Sequence, residues 1–216
     1  MEDNRLDFRI DFEVRLSDSG DDAEDSILRY RGKIRVLDEV DNETFAGRID
    51  ASVIDVDSGT SSYHAILDVT ADFAQYTPLI SREGDDFSKA VYRASKLDGL
   101  SSPNLLILEE LEILPDFRGQ ALGLQVIDRV TRRLGSGCGI TAMLPHPLQA
   151  HAKVHDSSRF NQDMQYGAFD QDLDTGIAKL KKHYAKAGFV SLKGTPLMVR
   201  ATHKDDDAES YRLVVA

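Results

Sequence analysis

The residues best suited to chemistry lie between Asn104 and Leu134, NLLILEELEILPDFRGQALGLQVIDRVTRRL. Within it, Arg118-Gly119-Gln120-Ala121-Leu122-Gly123 carries small residues at Gly119, Ala121 and Gly123, so a ligand can come close to the backbone. A helical pattern starts there. The unpaired N–H groups of a helix start and the positive end of its dipole favour a phosphate. Just upstream stand Glu109, Glu110 and Glu112 on one predicted strand. Strict alternation puts Glu109 on the face of Leu111 and Ile113, opposite Glu110 and Glu112. Other chemistries are poorly served. His146, His151 and His155, with Asp156, are spaced by five and four residues, fit no helical frame and have no cysteine beside them, so no metal is expected. A dinucleotide site needs an acid closing the next strand, and Met143-Leu144-Pro145 supplies none before Asp156. No Gly-Lys-Ser/Thr completes a phosphate loop, and Cys138 has no activating partner. It reads as a packing residue.

The elements that position these residues follow from apolar periodicity. Leu105–Leu108 is a continuous apolar run, which predicts a central strand covered on both faces, ending at Pro115. Leu122, Val126, Ile127, Val130 and Leu134 then form one helical stripe. Upstream, Leu6, Phe8, Ile10, Phe12, Val14 and Leu16 alternate with mostly charged residues and predict a half-buried strand. A second strand carries Leu28, Tyr30, Ile34 and Val36, and a third runs from Phe45 to Val56, which makes an antiparallel meander. Ile66, Val69, Phe73, Tyr76 and Ile80 recur at helical steps up to the break at Pro78, and Asp85-Asp86 is placed to cap a second helix over FSKAVYRASKL. Downstream come a strand from Gly139 to Leu144, an aperiodic stretch from 145 to 173 of the kind that forms functional or mobile loops, and a helix from Thr175 to Ala187 ended by Gly188. Phe189–Leu192 and Leu197–Ala201 complete the strands, ahead of a polar tail whose YRLVV offers one more edge strand.

At 216 residues and 41% apolar composition, the chain is expected to be a single domain that buries its core without disulfides or metals. The lone Cys138 and the acidic, charged N-terminus lead to a cytoplasmic expectation. No run approaches the roughly 20 apolar residues of a membrane span. A net charge of −11 repels phosphate backbones, so nucleic acid is not an expected partner; such a surface either serves solubility alone, the simpler explanation, or favours cationic small molecules or basic peptide segments.

LEILPDFRGQALG followed by a helix resembles the acyl-coenzyme A signature of the GNAT superfamily of N-acetyltransferases, with Arg118, Ala121 and Gly123 at its fixed positions. Ala121 stands where glycine is commoner. HYAKAGFVSL resembles a second element of that family, a helix ending in Tyr, three residues, Gly-Phe, here Tyr184, Gly188 and Phe189. The resemblance covers about residues 104–201, and residues 1–100 depart from the family layout. It implies an α/β (α+β) fold with a mixed, bent sheet flanked by helices, in which 104–201 bind the coenzyme, 1–103 shape the acceptor side and 202–216 form a tail.

It further implies transfer of an acetyl group from acetyl-CoA to an amine-bearing small molecule or peptide, by direct attack in a ternary complex. The pyrophosphate would sit on N–H groups from Gln120 through Leu124, that is Gln120, Ala121, Leu122, Gly123 and Leu124, after Gly119; Arg118 either adds charge or braces the turn. The pantetheine arm would pair with the backbone of Leu111, Glu112 and Ile113, where the strand splays from the one ending at Leu144; Pro145 and Pro147 agree with broken pairing. Tyr184 would protonate the leaving thiolate, or else pack without donating. Glu109 and Glu112 are the candidate general bases, or else orient a cationic acceptor or form ion pairs. His146 is either a base, an acceptor contact or a solvated loop residue. The alternative function is a catalytically silent protein of this shape that binds coenzyme A or a protein partner. Acceptor identity and oligomeric state are open.

Overall fold

Alternating apolar side chains build the first half of the molecule. A computed structural model describes residues 6–16, 20–56, 62–97, 102–150 and 158–202. Strand β1 (Phe8–Arg15) is followed by a short helix α1 (Asp22–Asp25), β2 (Ile27–Leu37) and β3 (Glu43–Ile54), and the three strands pair antiparallel. The alternation of β1 outruns the core: Phe8 is buried, but Val14 is 46% and Leu16 75% exposed.

The period over 61–80 does not yield one helix. It gives α2 (Tyr63–Leu67), α3 (Ala71–Ala74) and a 3-10 turn at Thr77–Leu79. The hydroxyls of Ser62 and Thr70 accept from the N–H groups of Ala65 and Phe73, so each restarts the chain as a new helix N-terminus. The apolar positions still reach the core, with Ile66, Phe73, Tyr76 and Ile80 all buried. Helix α4 (Lys89–Ser95) begins after Ser88 rather than at Asp85-Asp86. Asp86 instead accepts from the Phe87 N–H at 2.6 Å and the Tyr92 hydroxyl at 2.7 Å.

The second half alternates strand and helix: β4 (Leu105–Ile113), α5 (Leu122–Leu134), β5 (Ile140–Met143), α6 (Arg159–Asp163), α7 (Leu173–Ala185), β6 (Val190–Ser191) and β7 (Met198–Ala201). The result is an α+β fold, a seven-stranded mixed sheet in the order β1-β2-β3-β4-β5-β7-β6 with helices on both faces. β3 pairs β4 antiparallel, β4 pairs β5 parallel across the α5 crossover, and β7 pairs antiparallel with β5 and β6.

Each face of the sheet has its own apolar cluster. Leu105 and Ile107 pack towards α2–α4. Leu106 and Leu108 pack towards α5, whose Leu122, Val126, Ile127 and Val130 are buried as their spacing predicts, with Cys138 alongside. The stretch from 145 to 173 is not free of structure: besides α6 it holds 3-10 turns at Leu148–Ala150 and Tyr166–Ala168. His151, His155, Asp156 and the tail from 203 to 216 lie outside the described residues.

Candidate active site

The pairing of β4 changes along its length. Leu105–Leu108 bond to β3 on one edge and β5 on the other, but β5 ends at Met143, so among the described residues Glu110–Ile113 have a strand neighbour only in β3. Leu144–Pro147 are not part of a strand, and Pro145 offers no N–H to continue one. The Leu114 N–H donates to Ala46 at 2.9 Å, which makes that pair a hydrogen-bonded one. By the antiparallel alternation, Ile113 and Leu111 then turn their backbone groups away from β3, towards the missing strand. A cleft of about 540 Å³ opens there, lined by β4, the Arg118–Gly123 turn, Leu144 and α7.

The turn supplies donors at one end of this cleft. Gly119 (φ 77°) and Ala121 (φ 58°) both take the left-handed conformation that reverses the chain into α5. The Ala121 carbonyl accepts from Leu124 at 3.0 Å and Gln125 at 3.1 Å. The Leu124 N–H is therefore already engaged, which narrows the expected donor set. The N–H groups of Leu122 and Gly123 precede this first helical bond and remain at the helix start. Of the two roles expected for Arg118, bracing is the one its contacts fill. Its Nε donates to the Ile113 carbonyl at 2.8 Å, its Nη2 to the Met164 carbonyl at 2.5 Å, and its guanidinium lies 4.3 Å from the Phe169 ring centre. Gln120 reaches back to the Asp116 carbonyl at 2.8 Å.

Tyr184 reaches the same cleft from α7. Gly188 (φ 84°) ends that helix as the spacing predicts: its N–H donates to Ala185, and the Phe189 N–H to Tyr184, the paired bonds of a Schellman ending. The motif fixes Tyr184 one turn before the chain reverses and buries Phe189 beneath it. Burial pushes the Tyr184 phenol up to about 12, so it stays protonated at neutral pH. His146 and His183 also line the cleft; burial, then Lys186, lowers the His183 pKa.

The carboxylates are arranged differently from strict alternation. Asp50 pairs with Glu110 but Ala51 with Leu108, so Glu109 is the extra residue of a β-bulge. Leu108 and Leu111 consequently share the α5 face, and Glu109 does not share it with Leu111 and Ile113. The Ser52 hydroxyl, opposite Ile107 on the α2–α4 face, donates to the Glu109 carboxylate. Glu112, opposite Arg48, points to that same side.

Their surroundings separate the two acids. Glu112 is buried and both its oxygens are taken: the Tyr166 hydroxyl donates to one, and Arg48 Nε lies 3.2 Å from the other. Glu109 keeps contact with solvent along the cleft and has Ser52 as its hydrogen-bond donor. Loss of bulk water raises both pKa values; Ser52 and Arg29 oppose this at Glu109, Tyr166 and Arg48 at Glu112. Tyr76, whose phenol is raised by burial and then by the Glu109 charge, meets the Leu144 backbone beside them.

Sequence reasoning did not find Ser52, Arg48, Tyr76 or Tyr166. The first three read as ordinary strand or helix positions, and Tyr166 lies in the aperiodic stretch. Burial also raises the Cys138 thiol to about 12, leaving it a poor nucleophile. Among the described residues no group of three or more His, Cys, Asp or Glu side chains is placed to hold a metal, and no helix is long and apolar enough to cross a membrane.

No model of a known protein family matches the chain, and no curated protein matches it. Among solved structures, it is similar to a crystal structure of a tyrosine-to-phenylalanine variant of KacT, at 12% identity and a TM-score of 0.41, over 94% of this chain and 98% of that one. So distant a likeness leaves function to be argued from this chain's own geometry.

Proposed function

We propose that this protein is a GNAT-type N-acyltransferase that moves an acetyl group from acetyl-CoA to an amine. The observation that carries the reading is the unpaired edge of Leu111–Ile113, which faces a cleft bounded by the Arg118–Gly123 turn at one end and by Tyr184 from α7. An amide chain such as pantetheine can add to that edge as a strand does, through the backbone groups of Leu111 and the Ile113 N–H. The helix-start N–H groups of Leu122 and Gly123 suit a pyrophosphate, while Arg118 holds the turn in shape.

Glu109 is the proposed base, because a proton on Glu112 would cancel the charge that holds Tyr166 and Arg48. A carboxylate with a raised pKa abstracts a proton near neutrality more effectively than an ordinary one. Glu109, directly or through water, takes a proton from the ammonium of the acceptor. The neutral nitrogen attacks the thioester carbon, and the tetrahedral intermediate expels sulfur. Tyr184 gives its phenolic proton to the thiolate and recovers one from the nitrogen, leaving the amide and free coenzyme.

Calorimetric titration with acetyl-CoA, followed by thiol release over an amine panel, tests this. Absence of binding at millimolar coenzyme rules the reading out. Binding without turnover on any amine favours the silent, coenzyme-binding alternative.

A further inference from the structure

The described residues between β5 and α7 are fastened around the cleft, in part at points that coenzyme binding does not require. Tyr166 donates to Glu112 on β4. Arg48 on β3 pairs with the same carboxylate and lays its guanidinium 3.4 Å from the ring centre of Phe160, which meets Phe45 edge-on. Arg118 holds the Met164 carbonyl and the face of Phe169. At the other end, Gln149 donates to the Asp170 carbonyl and Lys179 of α7 pairs with the Asp170 carboxylate. Arg48 and Glu112 sit on the sheet face of Glu109, not on the α5 face. The segment thus passes from α7 round the unpaired edge of β4 to the side on which the proposed base lies.

Resting on the acyltransferase reading, we infer that residues 158–170 form the wall that selects the acceptor, and that the acceptor is a small amine with an unbranched stem at the reacting nitrogen. Tyr166 and Arg48 are positioning residues: they act through Glu112, which anchors the wall and takes no part in proton transfer. A cleft of about 540 Å³ has to hold the pantetheine arm and the acceptor together. That volume falls in the range of small-ligand sites, so little space is left beside the arm for branches at the reacting nitrogen. Tyr166 and Phe169 line the cleft with their rings in contact, centres 6.4 Å apart, and so present a joined aromatic surface to whatever enters on the wall side.

The test compares wild type, Tyr166→Phe and Arg48→Lys in thiol release with acetyl-CoA over two amine series, linear primary alkylamines and their α-branched isomers. Thermal melting and acetyl-CoA titration accompany each variant. With the wall loosened, KM for the branched series falls about tenfold in Tyr166→Phe, while KM for the linear amines and Kd for acetyl-CoA stay within about twofold. Arg48→Lys keeps the charge but loses the flat stack on Phe160, and gives a smaller shift in the same direction. If Tyr166→Phe fails to fold, Arg48→Lys carries the comparison. Wild-type turnover with the same amine profile in both variants overturns this inference alone, as does a change in coenzyme affinity with no change in amine profile. A wild type that releases no thiol with any amine overturns the acyltransferase reading, and the inference with it.

Discussion

From Leu105 to Leu108, β4 is bonded on both edges and every side chain is buried; from Glu109 to Ile113 it is bonded on one edge and carries three carboxylates. The change falls at one inserted residue. The bulge at Glu109 brings Leu108 and Leu111 to the same face, so the apolar surface under α5 continues without interruption while all the acids turn away from it. One half of the strand therefore fastens the sheet, and the other half, with no strand beyond it among the described residues, presents backbone and charge to a cleft.

That division is most severely tested by truncating one apolar side chain in each half. Ile107→Ala removes a fully buried side chain from a packed layer and is expected to cost about 2–5 kcal/mol. Ile113→Ala, at the edge of the cleft, is expected to cost about 1 kcal/mol or less, since the site is already open. Urea denaturation measures both. Equal losses would mean that the second half is packed as tightly as the first.

The next largest effect belongs to the open half. Tyr184→Phe keeps the ring that packs against the α5-side cluster and removes the proton that the leaving sulfur needs. Turnover is expected to fall roughly a hundredfold with acetyl-CoA affinity little changed. Stopped-flow thiol detection and calorimetry separate the two. A variant with undiminished turnover would reduce Tyr184 to a packing residue.

A smaller effect is expected from Ser52, which faces the bulge. Its hydroxyl stabilises the charged form of Glu109, so Ser52→Ala raises a carboxylate pKa that is already above its ordinary value. A general base works only when deprotonated. The acid limb of kcat/KM therefore moves to higher pH, and activity is lost on the acidic side while the alkaline plateau remains. A pH–rate profile that keeps its acid limb in place would remove Glu109 from the proton path.

The paired half of β4 was legible because burial on both faces leaves a continuous apolar run, and α5 because its stripe is unbroken over three turns. Gly188 was legible because few residues other than glycine hold φ at 84° so easily. The faces of Glu109 and Glu112 were not. Alternation carries parity along a strand, and a single bulge reverses it without marking the sequence. Residues 61–80 kept the apolar spacing of a helix but not its continuity, since Ser62 and Thr70 bond locally to the backbone. Tyr166 and Phe160 were hidden for a different reason: their partners, Glu112 and Arg48, lie 54 or more residues away, and no local pattern reports a contact of that range.

The smallest expected effect sharpens the comparison at the turn that follows β4. Ala121 holds φ 58°, ψ 9°, a left-handed conformation in which its Cβ crowds the next carbonyl at a cost of about 1–2 kcal/mol. Glycine removes that crowding but gives back roughly half of the gain through the greater freedom of the unfolded chain. Ala121→Gly is thus expected to raise stability by about 0.5 kcal/mol. The donors at Leu122 and Gly123 keep their places, so acetyl-CoA affinity is expected to change by no more than about twofold. The measurement is discriminating because the alternative has the opposite sign. If Ala121 relaxes out of the left-handed region in solution, glycine only adds unfolded-state entropy, and the variant melts earlier. The helix start would then point its N–H groups elsewhere, and the phosphate end of the cleft would lose its geometric basis while the unpaired edge of Leu111–Ile113 kept its own.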